Sequence, residues 1–397
     1  MIHELALCFA SKGIECIVVA PDSNIEERFI DDIYDGVRVL RFRHGPIKDV
    51  PKLKRAVNES LLSTSAWRLL SGEFKKMEVD GVIYYSPSIF FGNLVSKLKR
   101  LWGCKSFLIL RDLFPRWAVE QGIIKEHSLI CSYFKYFEKN NYRAADFIGL
   151  MTPNTMTLFN NEHCLAHKTQ ILYNWATPIN SSNHESDKII DDEFSILNAA
   201  LRNKFVFFYG GNLGHAQDMC NLLRLAQGMA KYENSHFLFV GQGDEYELMK
   251  KYIDDNDLIN VTLLPSVSQK VYSAILSRID VGLFSLSRHH KTHNFPGKLL
   301  GYMNNAIPIL GSVNEGNDLI TIIPENYAGF CVENGCDDEL LEKALLLYSD
   351  SELHKKLGKG ARDLLLNSFT TDAAVNEIVH RLHPSHLLTE KINYEPI

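Results

Sequence analysis

The sequence predicts an α/β chain built from two doubly wound layers, and three observations carry that prediction. Short β-branched or aromatic runs alternate with longer amphipathic stretches, the pattern of parallel strands joined by crossover helices. The alternation occurs twice, on either side of a stretch at 180–192 rich in Ser, Asn, Asp and Glu, which has the composition of an exposed linker. At 397 residues the chain also exceeds what one core usually supports, a domain being roughly 100–200 residues.

Residues 1–11 read as a helix ended by Gly13, and strands follow at 14–20, 37–42, 82–85, 107–110, 147–151 and 170–173. A second series is expected at 205–209, 236–240, 261–263, 281–284, 307–310 and 329–332, and helices fill about 337–382. The resulting layout is a first Rossmann-like domain over 1–179, a linker region over 180–203, a second domain over 204–370, and a closing helix and tail over 371–397, the helix being a candidate to cross back to the first domain. Doubly wound domains ordinarily open with a strand and a Gly-rich turn before the first helix. Here the reading starts inside the helix, so the opening strand of the first domain is expected to be trimmed away or to lie upstream.

Composition narrows the function. Hydrophobic residues at 46% and charged residues at 23% suit a soluble globular protein, and a net charge of −6 offers no general attraction to nucleic acid. The eight cysteines are scattered without a Cys-x-x-Cys pair, which fits a reducing cytoplasm and gives no metal site. No run reaches the roughly 20 apolar residues of a membrane span, so contact with an inner membrane would be peripheral, on its cytoplasmic face. Lys97, Lys99 and Arg100, with Phe90, Phe91 and Trp102, form a basic–aromatic set suited either to an anionic lipid surface or to an ordinary solvated helix face.

The chemistry-bearing segments fall where strands end. His293-Asn294-Phe295-Pro296-Gly297-Lys298 follows a strand, and Pro296 is placed to start a helix. Gly297 and Lys298 would then offer backbone N–H groups and a cation to a diphosphate; an ordinary helix start with a surface lysine gives the same pattern. Gly210-Gly211-Asn212-Leu213-Gly214 and Gly241-Gln242-Gly243 are Gly-rich turns at the ligand-binding edge of the second layer, or merely tight turns. Neither completes a dinucleotide fingerprint, which weakens an NAD-dependent enzyme as the alternative. Glu315, Asn317 and Asp318 follow a further strand as hydroxyl ligands or as helix caps. Arg111 and Asp112 close a strand of the first layer at an edge expected to face a cleft. Asp112 there suits an acceptor proton or a sugar hydroxyl, or else caps and pairs with Arg111. Clustered His289, His290 and His293 lack the partners a metal needs.

Taken together, Arg111-Asp112-Leu113-Phe114-Pro115-Arg116-Trp117-Ala118-Val119, Tyr209-Gly210-Gly211-Asn212-Leu213-Gly214, Val240-Gly241-Gln242-Gly243 and His293 to Lys298 resemble family 4 glycosyltransferases of GT-B fold, over nearly the whole length. The resemblance is strongest to bacterial transferases of N-acetyl-L-fucosamine in O-antigen and capsule assembly. It implies a UDP-sugar donor on the second domain, a polyprenyl-diphosphate-linked saccharide acceptor on the first, and transfer with retention and without metal or cofactor. Asp112, Arg111 and His293 become the candidate catalytic residues. Gly211, Asn212, Gly214, Gly241, Gly243, Asn294, Gly297, Lys298, Glu315, Asn317 and Asp318 become the candidate substrate ligands. The chain departs from the family in two places. The family's Glu-x7-Glu pair falls on His293 and Gly301, leaving Glu315 or Asp318 to take over a ribose contact, and its basic pair falls near Asn212 and Gln217. These losses keep open a binding or scaffold protein without turnover, and they load the diphosphate charge onto Lys298.

Overall fold

The computed structural model describes residues 1–120, 122–179, 201–289 and 295–383. The expected linker at 180–192, and His290, His293 and Asn294, lie outside the described residues. The chain divides into two compact units, one from Met1 to Tyr173 joined by the segment from Thr371 onward, the other from Asn174 to Thr370.

In the first unit, α1 (Ile2–Ser11) leads to β1 (Ile17–Asp22), β2 (Phe29–Tyr34) and β3 (Val37–Arg43). There follow α2 (Lys52–Phe74), β4 (Gly81–Tyr85), α3 (Gly92–Trp102), β5 (Lys105–Ile109), α4 (Arg116–Glu120), α5 (Leu129–Ala144), β6 (Phe147–Leu150), α6 (Pro153–His163) and β7 (Thr169–Ile171). The strands form a three-stranded piece ordered β1-β3-β2 and a four-stranded piece ordered β4-β5-β6-β7. Only β2 runs antiparallel, pairing with β3 across a turn at Asp35 and Gly36, both with positive φ. That Asp-Gly pair is the type I′ hairpin signal, and the sequence reading passed over it because the exposed Asp31 and Asp32 interrupt the apolar run. One core joins the two sheet pieces: Leu40 and Phe42 of β3, Leu62, Leu70 and Phe74 of α2, Val82 and Tyr84 of β4, and Ile148 and Leu150 of β6 are all buried in it.

The aromatic members of the basic–aromatic set around α3 turn inward, while Lys97 and Arg100 are exposed. Phe90 is buried and Phe91 packs on the core. Trp102 Nε1 donates to the Phe74 carbonyl at 3.0 Å, and Lys99 Nζ lies 2.6 Å from Asp146 Oδ2. These residues anchor α3 to α2 and to the end of α5, because an amphipathic helix in this layer turns its aromatic stripe inward.

In the second unit come β8 (Phe205–Asn212), α7 (Met219–Met229), β9 (Ser235–Gln242), α8 (Tyr246–Asp255), β10 (Val261–Leu264), α9 (Gln269–Leu276) and β11 (Val281–Ser285). They are followed by α10 (Lys298–Asn304), β12 (Ile309–Val313), α11 (Leu319–Glu325), β13 (Gly329–Glu333), α12 (Asp337–Ser349) and α13 (Ser351–Ser368). The last helix, α14 (Thr371–Leu382), belongs to the first unit, where Asp372 Oδ1 lies 2.9 Å from Lys12 Nζ at the end of α1.

All strand pairs of the second unit are parallel, in the order β10-β9-β8-β11-β12-β13. From β8 the order runs outward through β9 and β10 on one side and through β11, β12 and β13 on the other. The switch between β8 and β11 is where open sheets of this kind bind ligands, beyond the carboxyl ends of the strands.

Candidate functional site

At that switch, β8 does not turn after Tyr209. It continues through Gly210, Gly211 and Asn212, with Gly211 opposite Gly241 and Asn212 opposite Gln242 of β9. The glycines of the two expected turns therefore divide into two kinds. A Cβ on Gly241 would lie 1.8 Å from the Gly211 carbonyl oxygen, and one on Gly243 would lie 2.1 Å from that of Leu213. Both glycines exist for close backbone crossing, where the Leu213 N–H donates to the Gln242 carbonyl and the Glu245 N–H to the Leu213 carbonyl, each at 2.9 Å. Gly214 is likewise crowded, by Asn212 Nδ2 and Asp244 Oδ1. Gly211 differs. Its φ is +134°, and a Cβ there would meet only Cε and Nζ of Lys298, at 3.5 Å.

Lys298 is brought to Gly211 by the packing of α10. Tyr302 is fully buried, and its hydroxyl donates to the carbonyls of Phe208 at 3.2 Å and Leu283 at 3.1 Å, stitching the helix to β8 and β11. Upstream, Asn174 Nδ2 donates to the Phe295 carbonyl at 3.1 Å. Pro296 precedes the N-cap, which is Gly297, instead of occupying the first helical position. The Leu299 N–H is taken by the Pro296 carbonyl and the Leu300 N–H by that of Gly297, so a tight first turn occupies the two N–H groups that follow the Gly297 and Lys298 pair expected to meet a ligand. Lys298 is half-buried, not the exposed surface lysine of an ordinary helix start, and its Nζ sits 3.2 Å from the centroid of the Tyr209 ring. Among the described residues it makes no ion pair, and burial holds its ammonium well below the usual lysine range. A Cβ on Gly297 would touch nothing within 4 Å among the described residues.

The neighbouring positions are polar but occupied. Asn212 Nδ2 donates to Gln217 Oε1 at 2.8 Å, so the residues at the family's two cation positions satisfy each other. His215 brings an ionisable side chain that the sequence reading overlooked: its Nδ1 lies 2.8 Å from Glu245 Oε1 and its Nε2 3.6 Å from Asp244 Oδ2. The Glu245 hydrogen bond, and then the Asp244 charge, raise its pKa. Asn317 acts as a cap, its Oδ1 accepting from the Leu319 N–H at 3.1 Å and its Nδ2 donating to Asn314 Oδ1. Asp318 is buried beside it, whereas Glu315 is exposed.

In the first unit, Arg111 is buried and acts as a strap. Its Nη1 donates to the Leu172 carbonyl at 2.9 Å and its Nη2 to that of Tyr173 at 3.1 Å, tying the end of β5 to the chain beyond β7. Burial lowers its pKa to about 10. Asp112 is exposed as a residue, yet its surroundings desolvate the carboxyl and raise its pKa, with the Arg111 charge pulling partly the other way. A carboxylate of raised pKa at a strand end accepts a proton more readily than an ordinary surface aspartate.

Residues 191–364 match the family model of glycosyl transferases group 1. The match covers less than half of the chain and falls within the second unit. WbjE of Pseudomonas aeruginosa, named a glycosyltransferase, is 23% identical over 234 residues, 59% of this chain and 57% of WbjE, so the match spans little more than half of that relative. WcaI of Escherichia coli (strain K12), named a colanic acid biosynthesis glycosyl transferase, is 22% identical over 81% of each chain. Among solved structures, Anabaena HepE in complex with UDP and glucose superposes with a TM-score of 0.61 at 13% identity, covering 88% of this chain and 87% of that one. The likeness shows the fold, two Rossmann-like domains of GT-B type.

Proposed function

We propose that the chain transfers a sugar from a UDP-sugar to a lipid-linked saccharide during assembly of a bacterial surface polysaccharide. The observation that carries this reading is the Lys298 ammonium, desolvated, without an ion pair among the described residues and set at the β8–β11 switch of the unit that matches the glycosyl transferase group 1 model. A diphosphate is the ligand such a cation suits, since hydrogen bonds to charged groups are worth about 1.5–3 kcal/mol and strengthen where water is excluded. The UDP in the HepE structure and the name of WcaI point the same way.

In the proposed reaction the bond from the sugar C1 to the diphosphate oxygen breaks with its electron pair on that oxygen, where Lys298 stabilises the charge. The acceptor hydroxyl oxygen bonds to C1, and Asp112 takes its proton. With the charge met by a lysine, no metal is needed, and retention of configuration follows the family resemblance. Gly211 gives the diphosphate close access to backbone, and Glu315 is the candidate for a ribose or sugar hydroxyl in place of the missing glutamates. Gly301, where the second glutamate of the pair would stand, favours one other reading: a subunit that binds a nucleotide sugar without turning it over. A panel of UDP-sugars, UDP-N-acetyl-L-fucosamine first, assayed against polyprenyl-diphosphate saccharides separates the two. Transfer supports the enzyme, and UDP binding with neither transfer nor donor hydrolysis supports the binding subunit.

A further inference from the structure

The first unit presents an apolar face that neither its core nor any described segment covers. On α2, Leu53, Val57 and Leu61 are exposed at four-residue spacing, one stripe of the helix. On α5, Leu129, Ile130, Tyr133 and Tyr136 are exposed, Leu129 keeping 90% of its surface and Leu53 on the other helix 80%. The Tyr133 hydroxyl donates to Ser60 Oγ at 2.7 Å, which makes the two stripes neighbours. An aromatic chain continues the face: Tyr133 packs on Phe134, Phe134 on Phe114 with ring centroids 4.9 Å apart, and Phe114 on the exposed Trp117.

The charges around this face are mostly of one sign. Lys52 and Lys54 flank Leu53, and Lys125 and Lys139 flank the α5 stripe. All four are exposed and make no ion pair among the described residues. Glu59 and Glu126 are already engaged, with Arg55 at 2.8 Å and with Lys135 at 3.9 Å, while Asp49 ahead of α2 is exposed. Separate apolar side chains interleaved with lysines, with tyrosines whose rings are apolar and whose hydroxyls are polar, are the chemistry of a surface lying in an anionic headgroup layer. A protein partner would instead favour a face depleted of lysine.

We infer that this α2–α5 face docks the protein on an anionic lipid bilayer. The inference deepens the proposed function, because Phe114 stands two residues beyond Asp112 and would set the acceptor-side carboxylate beside a lipid-linked substrate. Its test needs neither donor nor acceptor, so failure here leaves sugar transfer untouched.

The full chain is floated with vesicles of phosphatidylcholine alone and with vesicles containing phosphatidylglycerol. The protein is expected to float with the phosphatidylglycerol vesicles and to be released by salt. Leu129→Glu with Ile130→Glu lowers the bound fraction about tenfold or more, Lys52→Glu with Lys54→Glu does the same, and Lys97→Glu on α3 leaves it unchanged. All the changed α2 and α5 side chains are exposed, so melting temperatures stay near that of the parent. The inference is overturned if the parent ignores phosphatidylglycerol vesicles, or if both double variants float like the parent. It is also overturned if the α5 variant merely turns a dimer into a monomer, which assigns the face to a second copy of the chain.

Discussion

Replacing Lys298 with methionine, which keeps the length of the side chain and removes the charge, should move stability and ligand affinity in opposite directions. The ammonium is desolvated and makes no ion pair among the described residues, offset by its position 3.2 Å over the Tyr209 ring. A cation–π contact of this kind is worth about 0.5–2 kcal/mol, which is less than the several kcal/mol that desolvating an ion can cost. The methionine variant should therefore melt at or above the parent's temperature. Its UDP affinity should fall about 10- to 150-fold, corresponding to the 1.5–3 kcal/mol of a hydrogen bond to a charged group.

The pH dependence of stability fixes the sign independently. A lysine whose folded pKa is depressed stabilises the fold above its unfolded pKa, and that contribution is lost as pH falls through the folded pKa. The parent should gain stability with alkalinity over that window, the methionine variant should not, and UDP binding within it should draw a proton from buffer. Calorimetry in two buffers of different ionisation enthalpy measures both affinity and proton uptake. Gly297→Val is the companion test: a Cβ there meets nothing in the empty protein, so the fold should hold while a bulky side chain blocks the diphosphate. If Lys298→Met binds UDP like the parent and melts lower, the lysine is structural and the proposed site is misplaced.

Asp112→Asn should lower kcat by about 10²–10⁴, the range for loss of a general base, with UDP affinity unchanged; equal turnover would remove Asp112 from the chemistry. Burial raises the Glu138 carboxyl from 4.5 to about 7. Its contribution to stability is therefore full below pH 4.5 and lost as pH rises through 7, an upper bound of about 3 kcal/mol. Glu138→Gln keeps the acceptor for the Tyr142 hydroxyl and should raise the melting temperature at pH 8 far more than at pH 5, and equal shifts would refute the assignment. Gly241→Ala would put a methyl 1.8 Å from the Gly211 carbonyl oxygen. The fold should lose about 2–3 kcal/mol, seen as a lower denaturation midpoint, and an unchanged midpoint would mean that β8 and β9 separate easily at this point.

The two-layer α/β design was legible because parallel strands buried on both faces read as apolar runs, and each run from 205 to 332 overlaps a strand of the β10-to-β13 sheet, the one at 307–310 starting two residues ahead of β12. Individual ends were less legible. The reading stopped β8 at Tyr209 because Gly210 and Gly211 look like a turn, whereas pairing to Val240 and Gly241 carries the strand on. Here tertiary pairing overrides a local glycine signal. Of the site, Lys298 and Gly211 were readable as residue types, but their meeting was not, since it depends on Tyr302 reaching the Phe208 and Leu283 carbonyls. His215 was missed because its significance lies in Glu245, thirty residues away in sequence. The aromatic residues around α3 show the converse. Their composition suggested a surface, and nothing local could reveal that Trp102 donates into α2. The more exposed α2–α5 face has the weaker local pattern because its two stripes are joined only by a contact between Tyr133 and Ser60.

Two basic side chains stand near the end of β8, His215 just beyond it and Lys298 at the start of α10, and the proposed function favours Lys298 for the donor charge. His215 is largely exposed and already engaged by Glu245 and Asp244; exposed pairs contribute about 0–1 kcal/mol, and an anion arriving there would compete with two carboxylates and with salt. Lys298 has no carboxylate competitor among the described residues and is shielded from full solvent. The desolvation that an anion site must impose on its cation is imposed by the packing of α10 against β8. The part of the lysine–diphosphate attraction that an exposed lysine would lose in shedding water is therefore kept as binding, and more so as charge develops on the leaving oxygen. That asymmetry predicts that His215→Ala changes UDP affinity less than Lys298→Met does, and that raising the salt concentration narrows the effect of the histidine change before that of the lysine change.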